Sequence, residues 1–277
     1  MNARDDDRGL VRDAARSLAP DYYVAALLAP GDQRDDLITL AAFFGETGRI
    51  AQTVSDDLLA EIRLQWWRDS LAAEAATSGH PVADAMRDLL ARRAVDAAAV
   101  AGMLDARSEE LGRLRFGDEA DFDSYADAVD GAMLRLSAGL RGIDVSTLDE
   151  ADFSSAGRAL ARVRVALALP FFAAHARLPV WPGALGADVD AGVADDGAQI
   201  LHVLIDGARK ARSDAIVRSR GKRGRYIDAL LPVALLEPYL RALEAKEHDP
   251  LRDVAQIAPL TRISRLTWAH WRGRLSG

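Results

Sequence analysis

"EIRLQWWRDSL", residues 61–71, sets Trp66 and Trp67 side by side among Glu61, Arg63, Arg68 and Asp69. At about 100° per residue on a helix, Ile62 and Trp66 lie on one apolar arc with Leu58 and Leu59. Leu64, Trp67 and Leu71 form a second arc, and Glu61, Gln65 and Arg68 share one narrow polar strip. A helix apolar on two arcs is expected to be buried on most of its surface. Arg63 and Asp69 fall on those arcs, so internal ion pairs are expected for both, because an unpaired buried charge is costly. The polar strip has two readings: ion pairs inside a central core helix, or the wall of an internal cavity.

The same helical spacing recurs along the chain. Leu40, Phe43, Thr47, Ile50 and Val54 form one stripe, Tyr125, Val129, Met133 and Leu136 another, and Ile227, Leu230, Leu231 and Leu235 a third. Breaks with turn chemistry fall at "APGDQ" (29–33), "SGHP" (78–81), "RFGD" (115–118), "RGID" (141–144), "LPVWPGALG" (178–186) and "KEHDPL" (246–251). No linker or internal repeat divides residues 1–277. The expectation is a single all-α domain of about ten helices of ordinary length.

Composition narrows the function classes. A hydrophobic fraction of 49% supplies a core, and a net charge of −7 argues against nucleic acid as a partner. With no cysteine, disulfides and thiolate chemistry are excluded. The five histidines show no zinc spacing, and no phosphate-cradling or nucleophile-elbow motif occurs. The start, "MNARDDDRGL", lacks the apolar core of a signal peptide, and no stretch of about 18 apolar residues offers a membrane span. The expected location is the cytoplasm, with peripheral membrane attachment as an added alternative.

Several segments in order resemble the squalene/phytoene synthase family. "DYYVAALLAPGDQRDDLITLAAFF" (21–44) is similar to its opening helix pair, and "EIRLQWWRDSL" is similar to a segment of many bacterial members. "GHPVADAM" (79–86), "YADAVDGAMLRLSAGL" (125–140) and "AGRALARVRVALALPFFAAHARLPVWP" (156–182) continue the match. The resemblance implies an isoprenoid-synthase-like bundle around a central cavity. It also implies two facing aspartate motifs that hold Mg²⁺ against diphosphates, because the hard cation requires carboxylate oxygens and the leaving group requires charge neutralisation.

At those places the acids are missing. "GRIAQ" (48–52) has Gly48, Arg49 and Gln52 where the first motif belongs, and residues 159–172 contain no acid, while Arg162 and Arg164 add positive charge. Acid pairs at i, i+4 occur elsewhere, at Asp32/Asp36, Asp57/Glu61 and Asp123/Asp127, and read as helix-start acids. This pattern resembles a branch of the family that includes a mitochondrial complex I assembly factor. Glu46, "RLQWWRD" and the closing "PLTRISRLTWAHWRGRL" (259–275) match that branch. Glu46 also reads as an i, i+3 surface partner of Arg49. The glycines of "GETG" (45–48) read as a close helix contact or as room for an elongated ligand.

The expected function is therefore a non-catalytic lipid- or partner-binding protein, with a role in respiratory complex assembly. The alternative is an active prenyltransferase condensing two prenyl diphosphates head to head. A cofactor is expected only in that alternative, as Mg²⁺; no metal site is expected otherwise. The cavity candidates are Glu46, Arg49, Glu61, Gln65, Arg68, Arg162 and Arg164. A basic island at 208–226 holds eight cations against Asp214 alone. Within it Arg218, Arg220, Lys222, Arg223 and Arg225 read either as a solvated helix end or as a contact for an anionic membrane. An isoprenoid-like ligand and a protein partner complete the expected partners.

Overall fold

The computed structural model describes residues 3–72, 74–111, 116–175 and 193–275. The break at 178–186 and all of "ARLPVWP" (176–182) lie outside them. The α-helices are α1 (Ala3–Leu18), α2 (Pro20–Leu27), α3 (Gly31–Gly48), α4 (Ile50–Thr53), α5 (Asp57–Leu71), α6 (Pro81–Arg92) and α7 (Ala97–Ser108). They continue with α8 (Glu119–Ala126), α9 (Ala132–Leu140), α10 (Ala151–Ala174), α11 (Val193–Arg218), α12 (Arg225–Ala229), α13 (Leu236–Leu243) and α14 (Pro259–Arg272). A π-helical turn, Asp127–Gly131, joins α8 to α9, and a 3₁₀ turn, Leu231–Leu235, precedes α13. No strand occurs among the described residues.

Local chemistry sets the helix ends. Asp56, Asp96 and Asp118 each accept from the backbone N–H of the third residue of α5, α7 and α8. Pro81 opens α6, where its missing N–H costs nothing. Gly273 closes α14 at φ +58°, a conformation that glycine adopts without strain.

Helix α10 runs through the core and packs on α8, α9, α11 and α13. Phe153, Leu169 and Phe172 on it are fully buried. Gly157 allows this: a Cβ there would stand 2.5 Å from the backbone nitrogen of Gly131 in the π-helical turn. Gly45 of "GETG" meets Leu18 just as closely, which favours the close-contact reading of that glycine.

Helix α5 corrects an expectation. Only the second arc is buried, through Leu64 and Trp67, with Trp67 edge-on to Phe43 at 5.5 Å. Leu58, Leu59, Ile62 and Trp66 remain exposed. Arg63 and Asp69 are exposed as well, and Asp69 merely accepts a hydrogen bond from Gln65 at 2.7 Å. The helix lies at the surface with one face inward, so neither charge needs an internal partner.

Candidate functional site

A cavity of about 280 Å³ opens between α2, α3, α10 and α13. Its α10 wall is Leu160, Val163, Leu167 and Phe171, residues that share one face at helical spacing. Tyr22 and Phe44 stand opposite, and Gln52 contributes from α4. Phe171 and Val254 both line it and reach solvent, so it communicates with the surface there.

The charged groups at this cavity are engaged in protein contacts. Arg164 donates to Asp130 at 2.9 Å, to the Tyr125 hydroxyl at 2.6 Å and to Glu110 at 3.2 Å. Glu110 in turn binds Arg107 at 2.5 Å and accepts from the Tyr125 hydroxyl. Burial disfavours the Glu110 carboxylate, but Arg107, Arg164 and its hydrogen bonds outweigh this and hold it below the usual carboxylate range. The Arg164 guanidinium also loses by burial, yet Asp130, Tyr125 and Glu110 raise it well above its ordinary value. Both ions therefore stay charged inside the protein.

Gly48 acquires a reason here. A Cβ at Gly48 would stand 3.0 Å from Nη2 of the buried Arg107, whose guanidinium also lies 4.8 Å above the Phe44 ring. The position that the resemblance gives to an aspartate leaves room for an arginine. Arg49 turns away and pairs with Glu46 at 3.1 Å, the i, i+3 surface pair.

At the other edge, Asp21 accepts from Arg262 of α14 at 2.5 Å, and the Tyr239 hydroxyl joins both. Burial raises the Asp21 carboxyl despite these donors, and burial with Asp21 pushes Tyr239 up to about 12. Burial keeps Tyr22 neutral, and its hydroxyl is sealed from solvent with no hydrogen-bond partner among the described residues.

Among the described residues, no carboxylate at this cavity is free to hold magnesium. Asp130 is held by Arg164 and Asp21 by Arg262, and the α10 wall offers no oxygen ligand. Among the described residues no group of three or more His, Asp or Glu side chains is placed to hold a metal.

The remaining candidates separate. Arg164 alone of the seven cavity candidates lines the cavity. Arg162, two residues away and so about 200° around the helix, faces an outer groove, where it meets Glu119 at 2.9 Å and Asp123 at 2.8 Å. Arg158 follows it there and binds Asp127 at 2.6 Å. Glu61, Gln65 and Arg68 serve as a helix–helix clamp instead of a cavity wall. Arg68 donates to Glu61 and to Asp105 at 2.9 Å each, and to Ser108 at 3.0 Å, which fastens α5 to α7. Asp36 is buried between Arg92 and Arg93.

The basic island is partly neutralised from elsewhere in the fold. Arg209 pairs with Glu244 at 2.6 Å, Arg218 lies 3.6 Å from Asp149, and Lys222 binds Asp152 beside the Tyr226 ring. Arg220, Arg223 and Arg225 are exposed and make no ion pair among the described residues.

Sequence reasoning missed Asp130, Glu110, Tyr125, Arg107 and Tyr22. Asp130 carried a signal, as an acid next to Val129 in the Tyr125–Val129–Met133 stripe, a place where only a paired carboxylate is tolerated. Arg107 and Glu110, at i, i+3, carried only a weak one.

With this geometry in hand, the comparisons are direct. The sequence profile of the squalene/phytoene synthase family matches residues 15–272. "NADH dehydrogenase (ubiquinone) complex I, assembly factor 6" of Bos taurus is 23% identical over 244 residues, covering 82% of this chain and 71% of that one. A ligand-bound dehydrosqualene synthase superposes with TM-score 0.71 at 14% identity, covering 98% of this chain and 97% of that one. Squalene synthase HpnC from Alicyclobacillus acidocaldarius gives 0.50 at 17% identity, over 98% and 95% of the two chains. The structural likenesses establish the isoprenoid-synthase fold, and the profile match over nearly the whole length establishes the lineage: the chain belongs to the squalene/phytoene synthase family.

Proposed function

We propose that the chain is a non-catalytic member of its family that holds an apolar, isoprenoid-like lipid in the central cavity and serves a protein partner in assembling a respiratory complex. The observation that carries this reading is the α10 wall: Leu160, Val163, Leu167 and Phe171 face the cavity where metal chemistry would need carboxylates. The volume of about 280 Å³ is near the lower end of ligand pockets, about 300–1,000 Å³, which suits one ligand better than two. The assembly role is carried over from the name of the bovine relative.

Thermal unfolding of the purified chain with farnesol, or with farnesyl diphosphate in the presence and absence of Mg²⁺, tests the reading. Ligand that binds the native state alone raises the melting temperature. Farnesol should stabilise the chain, Mg²⁺ should add nothing to the diphosphate, and Leu167→Trp should remove the farnesol effect. Stabilisation by diphosphate that requires Mg²⁺, or none by farnesol, would overturn it. For the assembly role, loss of the chain should lower the NADH:ubiquinone activity of its host's membranes; unchanged activity would exclude that role.

A contact between the basic island and an anionic surface narrows, under this proposal, to Arg220, Arg223 and Arg225, its exposed members without an ion pair. No described helix is long and apolar enough to cross a membrane.

A further inference from the structure

The last acid of the chain is Asp253; from residue 254 onward there is none, while Arg262, Arg265, Arg272 and Arg274 bring four formal positive charges. In a chain of net charge −7 this is a segregated basic end. Helix α14 occupies most of it, and its two faces differ. The inner face is fastened: Leu266 and Ala269 are buried, Arg262 binds Asp21, and Nδ1 of His270 lies 2.6 Å from Asp228. The outer face is apolar and bare, with Leu260 79% exposed, Trp271 74%, and Ile263 and Trp268 each 49%. Leu260 and Trp271 are eleven residues apart and so differ by only about 20° around the helix. The Trp268 and Trp271 rings lie 5.4 Å apart, tilted by 38°, and the guanidinium of Arg272 lies 4.9 Å over the Trp268 ring.

We infer that α14 docks this protein flat on a bilayer containing anionic phospholipid. Bare leucine, isoleucine and tryptophan supply the apolar face that sinks to the headgroup boundary, where indole rings concentrate. The flanking arginines reach up from that depth to the phosphates. The acid-free composition selects the occupant. The exposed stripe of α5, Leu58, Leu59, Ile62 and Trp66, is equally apolar but lies beside Asp56, Asp57, Glu61 and Asp69, which repel anionic headgroups. Among the described helices, only α14 pairs a bare apolar face with an acid-free sequence. Val254, which lines the central cavity, opens the same segment, so the docked surface lies next in the chain to a wall of the cavity. Docking through α14 holds whether or not the cavity binds a ligand.

Flotation of the full chain with phosphatidylcholine vesicles, with and without phosphatidylglycerol, tests this at low and high salt. The parent protein should float with the anionic vesicles, weakly with neutral ones, and less at high salt. The double variant Leu260→Ser/Trp271→Ser should lower the bound-to-free ratio by about tenfold or more, since binding scales with buried apolar area. Both side chains are largely exposed, so an unchanged thermal melt is expected and serves as the control. Arg272→Gln/Arg274→Gln should lower binding to the anionic vesicles specifically. The triple variant Arg220→Gln/Arg223→Gln/Arg225→Gln should keep most of the binding. Absence of flotation by the parent at low salt overturns the inference, as does equal flotation of the Leu260/Trp271 variant. A parent dimer that ignores vesicles and becomes monomeric in that variant would make the face a contact between two copies of this chain and would also overturn it.

Discussion

The two faces of α10 hold arginines against different neighbours. On the outer face part-exposed Arg158 and buried Arg162 meet Asp123, Asp127 and Glu119 along a polar groove. On the inner face Arg164 stands among leucine, valine and phenylalanine, held by Asp130, Glu110 and Tyr125. Asp123 and Asp127 form the i, i+4 acid pair that a magnesium site would favour, but they face arginines in the outer groove. The inner face, which lines the cavity, has no free acid. The difference teaches that acid spacing along a helix says little until the face is known.

The largest expected effect separates the two faces by stability. Arg164→Ala should cost about 3–5 kcal/mol in denaturant unfolding, because it strands buried Glu110 and Asp130. Arg158→Ala, on a side chain 37% exposed, should cost about 1 kcal/mol or less. Equal costs would dissolve the contrast.

Helix α5 offers the same contrast on one element. Trp67→Ala should cost about 3 kcal/mol or more, and Trp66→Ala clearly less, because only Trp67 fills the core. Similar losses in melting experiments would show that the first arc is covered after all.

Acid titration sharpens the inner face further. The folded-state pKa of Glu110 lies below its ordinary value, so its contribution is present above the ordinary glutamate range, about 4.3, and is lost as pH falls through the folded value. Stability should therefore decline on acidification below that range, and Glu110→Gln should make the decline shallower. Asp21, raised by burial, acts in the opposite direction: its contribution is present at low pH and is lost as pH rises through its folded value. A Glu110→Gln variant with an unchanged acid limb would mean that the cluster titrates elsewhere.

The smallest effect is expected at Arg63 and Asp69. Alanine at either should change unfolding free energy by about 0.5 kcal/mol or less, as for surface sites without special contacts. A larger loss in chemical denaturation would restore the internal pairing that the two apolar arcs imply.

The all-α architecture was legible because apolar residues recur at helical spacing and the quoted breaks at 29–33, 78–81, 141–144 and 246–251 fall at or between helix ends. What periodicity could not tell was which of two apolar arcs meets protein; on α5 it was the one through Leu64 and Trp67. Of the arginines that the resemblance places on this helix, Arg164 lines the cavity. Arg162 was drawn in with it, although two helical positions send it to the opposite side. The partners of Arg164 were not legible: Asp130 and Glu110 lie 34 and 54 residues away, and only tertiary packing, of α10 on the π-helical turn and of that turn on α7, brings them together.

Under the proposed function, the cavity holds an apolar molecule without metal-assisted diphosphate chemistry. Incubation of the purified chain with farnesyl or geranylgeranyl diphosphate and Mg²⁺, followed by pyrophosphate release, tests it most directly. Release no faster than in the enzyme-free control is expected. Release well above that control, abolished by a chelator, would contradict it and establish an active prenyltransferase.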